Sequence, residues 1–237
     1  MNTINEYFEL SDLKRISIFI GAYGSGKSEI SVNFAAWLAG RQKKVILCDL
    51  DIINPFYRSA DARLAVEAIG IHLVSPQYAG TNVDVPAVPG EIFSVFDETD
   101  HMAVLDIGGE DLGARVIASL RPRIEMQQTD IAVYMVVNPY RPFTDTADKI
   151  CIVAAELAAA ANLPISGLVH NANLLEHGDA KLLGESWPII DAAARRLNLP
   201  VVFAAAMADA VPPGWGAKTP EGVPLLRLER QIFYGEK

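Results

Sequence analysis

The sequence predicts a single doubly wound α/β domain, with a mostly parallel, seven-stranded sheet and helices on both faces. Short Val- and Ile-rich runs alternate with helical patterns from Arg15 to about Ala206. These runs lack polar alternation, which is typical of parallel strands that are buried on both faces. No Pro/Gly-rich linker divides the chain. We therefore predict one domain over residues 1–237, with a core at about 15–215 and a C-terminal extension at 216–237.

The predicted strands and helices follow one another in order. Seven apolar runs have the length of strands: Ile16–Ile20, Val45–Leu47, Ile71–Val74, Met102–Leu105, Ile131–Val137, Ile165–Val169 and Val201–Ala205. Helical patterns, in which apolar residues recur every three or four positions, occur at 30–38, 64–69, 146–161 and 189–197. In such a β/α succession, ligands bind at the carboxyl ends of the strands.

Composition limits the functional class. The chain has 237 residues, of which 51% are hydrophobic, and a formal net charge of −9. This charge disfavours broad binding to nucleic acids or anionic membranes. No run reaches the roughly 18 apolar residues of a membrane span, and the N-terminus lacks a secretion signal. The two cysteines, Cys48 and Cys151, suit buried free thiols in a reducing compartment. We expect a cytoplasmic protein without nucleic-acid binding or stable membrane association.

A glycine-rich turn joins the first predicted strand to the first predicted helix. Residues 21–28 read Gly-Ala-Tyr-Gly-Ser-Gly-Lys-Ser, which matches the P-loop spacing Gly-x-x-x-x-Gly-Lys-Ser. Glycines let successive backbone N–H groups point at a phosphate, where a Cβ would intrude. Lys27 can reach the β- and γ-phosphates, and the Ser28 hydroxyl can ligate Mg²⁺. The sequence thus predicts a P-loop NTPase. Its predicted nucleotide-binding residues here are Gly21, Tyr23, Gly24, Ser25, Gly26, Lys27, Ser28 and Glu29.

Acidic residues follow two other predicted strands. Asp49 and Asp51 come at the end of the second strand, and Asp106 ends the fourth, three residues before Gly109. Beside a triphosphate, one acid of the first pair can hold a Mg²⁺-bound water while the other orients or deprotonates the attacking water. Asp106 can order Mg²⁺ through water, and the Gly109 N–H can sense the γ-phosphate, so that its loop acts as a switch.

The combination resembles the MinD/ParA-like branch of P-loop NTPases, within the group that also holds nitrogenase iron protein and metallocentre-assembly GTPases. The resemblance covers about residues 15–215, and it depends on residues 21–28, on 49–58 and on 106–109. It implies that Ser28, Asp49 and Asp106 lie at the metal, and that Lys27 and Asp51 are catalytic. It also implies that residues 51–58 and 106–109 are switches and that the protein forms a homodimer.

One position departs from that family. MinD and ParA proteins carry an extra lysine one residue after the first P-loop glycine, and it reaches the nucleotide of the partner subunit. Here this position is Ala22. Either hydrolysis is slow, or another cation supplies the charge, for which Arg58 and Arg115 are candidates. In this respect the P-loop is similar to those of hydrogenase- and urease-maturation GTPases.

The residues after the sixth predicted strand bear on the base. Guanine-specific relatives have Asn-Lys-x-Asp there, and this chain has Asn173 where the aspartate is expected. An amide offers one acceptor and adds donors, which disfavours guanine. By resemblance, Asn171 lies where adenine-binding relatives often place an asparagine. We therefore predict ATP and Mg²⁺ as cofactors, with Asn171 and Asn173 among the nucleotide-binding residues.

Three functions remain open at this stage. The first is a Mg²⁺-dependent ATPase that acts as a switch for an unidentified protein partner. In that case the similar loops at 54–58 and 138–143, with Asn-Pro, an aromatic residue and Arg, form one recognition surface that includes Tyr57 and Tyr140. The second is a small-molecule kinase or ATP-dependent ligase, with residues 76–98 as a lid. The third is a GTP-dependent metallocentre-assembly GTPase.

The C-terminal stretch at 224–233 has apolar residues at helical spacing. Its polar side is not strongly basic, which argues against a membrane-binding helix. We expect this helix to pack onto the domain or to form a dimer contact.

Overall fold

The structure is a computed structural model that describes residues 4–50, 60–75, 90–97, 99–108, 111–172 and 180–230. The strands in these residues are β1 (Ile16–Ile20), β2 (Val45–Leu50), β3 (Ile71–Val74), β4 (Met102–Ile107), β5 (Ile131–Val137), β6 (Gly167–Asn171), β7 (Val201–Met207) and β8 (Leu225–Leu228). The helices are α1 (Lys27–Gly40), α2 (Ala60–Ala68), α3 (Ser94–Asp97), α4 (Asp111–Met126), α5 (Ala147–Ala161) and α6 (Lys181–Leu197). Short 3₁₀ turns lie at Gly90–Phe93, Gln128–Asp130 and Ala208–Ala210.

All eight strands belong to one parallel sheet with the order β3-β2-β4-β1-β5-β6-β7-β8. The predicted α/β class is confirmed. Because β1 lies between β4 and β5, the chain crosses from one half of the sheet to the other at this point. Such a reversal of strand order opens a crevice at the carboxyl ends of the strands.

The sheet has one strand more than the seven predicted. Residues 225–228, which the sequence placed in a helical C-terminal extension, form β8 and pair in parallel with β7. Leu226 and Leu228 pack on the face of the sheet that α1 covers, whereas Leu225 packs on the opposite face. A four-residue strand buries apolar side chains on both faces, and an amphipathic surface helix does not. This burial explains why the helical prediction was wrong.

The two faces of the sheet have separate cores. On one face α1 is buried along almost its whole length from Ile30 to Leu38. Aromatic rings pack there, with centroid distances of 4.9 Å between Phe8 and Trp37 and 5.9 Å between Phe34 and Phe203. The other face is covered by α4, α5 and α6. Of these, α4 was not predicted from the sequence, because Gly113 and Pro122 interrupt its helical pattern. Within the described segments, no helix combines the length and the apolar character needed to cross a membrane.

The free edge of β8 is closed by the N-terminal segment. The Asn5 side-chain amide donates to the Arg227 carbonyl and its oxygen accepts from the Arg227 N–H, both at 2.8 Å. The buried amide thus takes the place of a peptide group on a neighbouring strand. Covering an edge in this way prevents pairing with another chain.

We expect Asn5→Ala to lower the free energy of unfolding by about 1–3 kcal/mol, because two backbone groups of β8 lose their partner. Urea denaturation followed by circular dichroism measures this change. Glu6→Ala, at the exposed neighbouring position, is the matched control and should leave the midpoint unchanged. Equal midpoints for Asn5→Ala and the wild type would show that this edge contact adds no stability.

Candidate functional site

The glycine-rich turn leaves the carboxyl end of β1 and runs into α1. The Ser25 N–H donates to the Ala22 carbonyl at 3.1 Å, which closes the turn. Gly24 and Gly26 have φ values of +73° and +87°, a left-handed conformation that side chains rarely adopt. Helix α1 begins at Lys27, so its N-terminal N–H groups and its positive dipole end lie at this turn.

Two of these glycines also lie where a side chain does not fit. A Cβ on Gly21 would come within 2.7 Å of both the Val136 carbonyl oxygen and the Ser25 Oγ. A Cβ on Gly26 would come within 2.3 Å of the Asn171 Nδ2. The Ser25 hydroxyl is itself buried without a hydrogen-bond partner among the described residues. Positions 21 and 26 therefore both require glycine, as expected for the backbone cradle (residues 21–28) that the P-loop spacing predicts.

Asn171 ends β6 and is tied to this cradle. Its Nδ2 donates to the Ser25 carbonyl at 2.7 Å, and the side chain is buried. The sequence placed Asn171 at the base, and nothing in the structure tests that role. The hydrogen bond to Ser25 also gives Asn171 a structural role, because it ties the glycine-rich turn to β6.

Two carboxylates converge beside β1. Asp49 on β2 and Asp106 on β4 are register partners, and both are buried. Asp106 is also in register with Phe19 on β1, one residue before that strand ends. In-register residues of parallel strands point to the same face, so both acids lie at the end of the sheet from which the glycine-rich turn leaves. The strands are longer here than predicted, and the two acids belong to them.

Both cysteines, Cys48 near this site and Cys151 on α5, are free thiols. Cys48, directly before Asp49, is fully buried, whereas Cys151 is half-buried. Burial raises the pKa of the Cys48 thiol far above its ordinary range, and the charges of Glu91 and Asp49 raise it further. The thiol is therefore neutral and unreactive.

Several predicted functional residues lie outside the described residues. These are Asp51, Gly109 and Asn173, together with Arg58, Tyr57 and the segment 76–89 of the predicted lid. The side chain of Arg115, the other predicted cation, also lies outside them. Their roles stay predictions.

A cation that the sequence analysis did not assign to the nucleotide lies at the glycine-rich turn. The Arg141 Nε donates to the Gly24 carbonyl at 3.0 Å. The residue belongs to the 138–143 loop, which was predicted to bind a partner. In that loop the Tyr140 hydroxyl donates to the Leu182 carbonyl at 3.2 Å, so this ring packs against α6. The signal available in the sequence was the position of Arg141 in the loop that follows the fifth predicted strand.

A cavity of about 340 Å³ lies at the β8 edge of the sheet. It is lined by the N-terminal segment, by the loop at 208–217 and by the side chains of Leu225 and Arg227. None of the residues 21–28 lines it, so it is separate from the glycine-rich turn.

Comparison with known proteins gives a fold and no family. No protein-family profile matches the chain, and no curated protein matches it in sequence. FtsY from Mycoplasma mycoides is 20% identical with a TM-score of 0.52, and 86% of this chain and 65% of that chain are covered. Chloroplast FtsY from Physcomitrella patens is 16% identical with a TM-score of 0.57, and 89% of this chain and 64% of that chain are covered. FlhF complexed with GMPPNP and Mg²⁺ is 13% identical with a TM-score of 0.51, and 86% of this chain and 70% of that chain are covered.

These likenesses confirm the predicted P-loop NTPase fold. The chain spans just under two thirds of the length of the two FtsY chains. The narrower MinD/ParA-like resemblance is not supported by these structures and stays a prediction.

Proposed function

We propose that this protein is a Mg²⁺-dependent nucleoside triphosphatase that acts as a nucleotide-controlled switch for a protein partner. The observation that carries the proposal is the cradle at the N-terminus of α1, with two buried acids beside it. Gly24 and Gly26 have left-handed backbone angles, and neither Gly21 nor Gly26 has room for a Cβ. A turn with a purely structural role would not need these glycines beside two buried carboxylates, Asp49 and Asp106.

The residues present fit a triphosphate and its metal. The backbone N–H groups of residues 21–28 and the Lys27 ammonium bind and neutralise the phosphates. The Ser28 hydroxyl, with Asp49 and Asp106, provides the oxygen ligands that Mg²⁺ prefers, directly or through water. When bound, Mg²⁺ supplies positive charge at the β- and γ-phosphate oxygens. Asp51 is the proposed residue that positions the attacking water.

The switch in this proposal consists of residues 51–58, which follow β2, and residues 106–109, which include the end of β4. Their strands end next to the cradle, so loss of the γ-phosphate changes what these loops contact. We propose that a partner protein binds differently before and after this change. From the resemblance to MinD and ParA we also propose that the protein forms a homodimer.

For the base we propose ATP, because Asn173 offers a poorer match to guanine than aspartate does. GTP is the second candidate, favoured by FlhF, which has been solved in complex with GTP and Mg²⁺. Asn171 already gives one N–H to the Ser25 carbonyl.

Among the described residues, no observation favours a small-molecule kinase or a metallocentre-assembly GTPase. A kinase needs an acceptor pocket that adjoins the phosphates, and the cavity beside β8 has none of the residues 21–28 in its lining.

Calorimetric titration of Mg²⁺-ATP and Mg²⁺-GTP into the purified protein tests the proposal. We expect binding of ATP at least tenfold tighter than GTP, a difference of about 1.4 kcal/mol, and loss of binding in Lys27→Ala. Arg195→Ala is the matched control, because it removes one positive charge from an exposed site on α6. A preference for GTP would overturn the choice of base alone. Absence of binding by either nucleotide would overturn the proposed function.

A further inference from the structure

The loop that carries Arg141 is held in one conformation. The Arg141 N–H donates to the Asn138 carbonyl at 3.1 Å, and the Thr144 Oγ1 donates to the same carbonyl at 2.6 Å. The Tyr140 N–H donates to the Asn138 Oδ1 at 3.1 Å. Thr146 then caps α5 through its side chain, which accepts from the Lys149 N–H. A guanidinium on such a rigid turn reaches its target with little loss of conformational entropy.

The Arg141 guanidinium lies directly against the glycine-rich turn. Besides the bond from its Nε to the Gly24 carbonyl, a Cβ on Gly24 would lie 3.4 Å from the Nε and 3.7 Å from the Cζ. The guanidinium therefore lies at ordinary van der Waals distance from position 24. Among the described residues, no group accepts a hydrogen bond from the two terminal NH₂ groups of Arg141. Four N–H donors of a permanent cation are thus available at the phosphate cradle.

The site has a reason to need this charge. Position 22, which carries a lysine in MinD and ParA proteins, is alanine here. Hydrolysis of a triphosphate builds negative charge on the oxygens of the terminal phosphoryl group, and a cation placed there lowers the barrier. Arg141 comes from the same chain as the cradle, so it needs no second subunit.

We propose that Arg141 is the cation that, in the same chain, stabilises the charge developed on the terminal phosphate during hydrolysis. This inference rests on the proposed function. Water adds to the γ-phosphorus and the bond from that phosphorus to the β–γ bridging oxygen breaks, which yields nucleoside diphosphate, inorganic phosphate and a proton. Arg141 stays protonated, forms no covalent bond and accepts no proton. Its Nε fixes its position through Gly24, and its terminal NH₂ groups face the phosphate.

The test compares Arg141→Ala and Arg141→Lys with the wild type and with Arg195→Ala, which removes an equal charge from α6. Turnover of Mg²⁺-ATP and Mg²⁺-GTP is measured, together with the affinity for each substrate. We expect kcat to fall about 10³-fold in Arg141→Ala, with a much smaller change in substrate affinity. Arg141→Lys should recover little, since lysine is a point charge without the planar fork. Added guanidinium ion should restore part of the activity of Arg141→Ala.

A second readout serves if turnover is slow. Aluminium fluoride with a nucleoside diphosphate mimics the transferred phosphoryl group, and we expect it to tighten diphosphate binding to the wild type and not to Arg141→Ala. Equal tightening in both proteins, or equal kcat, would overturn the proposal for Arg141 while leaving nucleotide binding intact. Equal loss of diphosphate and triphosphate affinity without rescue by guanidinium would also overturn it, because Arg141 would then only support the turn. Absence of nucleotide binding by the wild type would overturn both proposals.

Discussion

Gly26→Ala is expected to weaken the binding of Mg²⁺-nucleotide by more than tenfold. Gly26 has a φ of +87°, and a residue with a Cβ is strained there by roughly 1–2 kcal/mol. The added methyl would also lie 2.3 Å from the Asn171 Nδ2, so this amide must move away from the Ser25 carbonyl. Both effects distort the residues that we propose present N–H groups to the phosphate. Calorimetric titration measures the loss, at 1.4 kcal/mol for each tenfold change.

The chain offers a matched control at the other end of the same helix. Gly40 ends α1 without a left-handed φ, and a Cβ there would meet nothing within 4 Å. Gly40→Ala should therefore keep the affinity of the wild type and stabilise the helix slightly. If Gly26→Ala bound nucleotide as tightly as Gly40→Ala, the turn would not be the phosphate site.

His170→Gln is expected to remove a pH dependence of stability. His170 is buried in β6 with its Nε2 2.9 Å from the Ser186 Oγ, and burial lowers its pKa to about 4. In the unfolded chain the histidine pKa is about 6.5. Between these values the unfolded chain takes up a proton and the folded protein does not, so folding loses stability as the pH falls from about 6.5 to 4. The full effect is about 3 kcal/mol.

Urea denaturation at pH 7.5, 6, 5 and 4 measures this slope. Carboxylates titrate in the same range, so the informative quantity is the difference between the variant and the wild type at each pH. His170→Gln should become relatively more stable as the pH falls. Parallel curves for the wild type and His170→Gln would contradict the buried neutral histidine.

Local pattern was sufficient for most of the fold. The predicted runs at 16–20, 71–74 and 131–137 coincide with β1, β3 and β5. Strands buried on both faces are continuous apolar runs, which is a signal that needs no knowledge of their neighbours. The stretch at 225–228 was assigned wrongly because a short run of leucines fits either a helix or a buried strand. Only the contact with β7 decides between them.

The candidate site divides in the same way. The spacing from Gly21 to Ser28 is local, because one turn must curl around one phosphate, and the sequence displays it directly. Arg141 lies 117 residues from Gly24, and no spacing rule connects the two. They meet because β5 pairs with β1, so that the loop after β5 lies beside the turn after β1.

By itself, the sequence determined the α/β class, the glycine-rich turn and the acids at strand ends, since each depends on residues close together in the chain. The tertiary structure alone decided which distant residues share the site. The strand order sets Asp49 opposite Asp106, Asn171 against Ser25 and Arg141 against Gly24. Strand order follows from how the whole set of apolar faces is buried, and this is a property of no single segment.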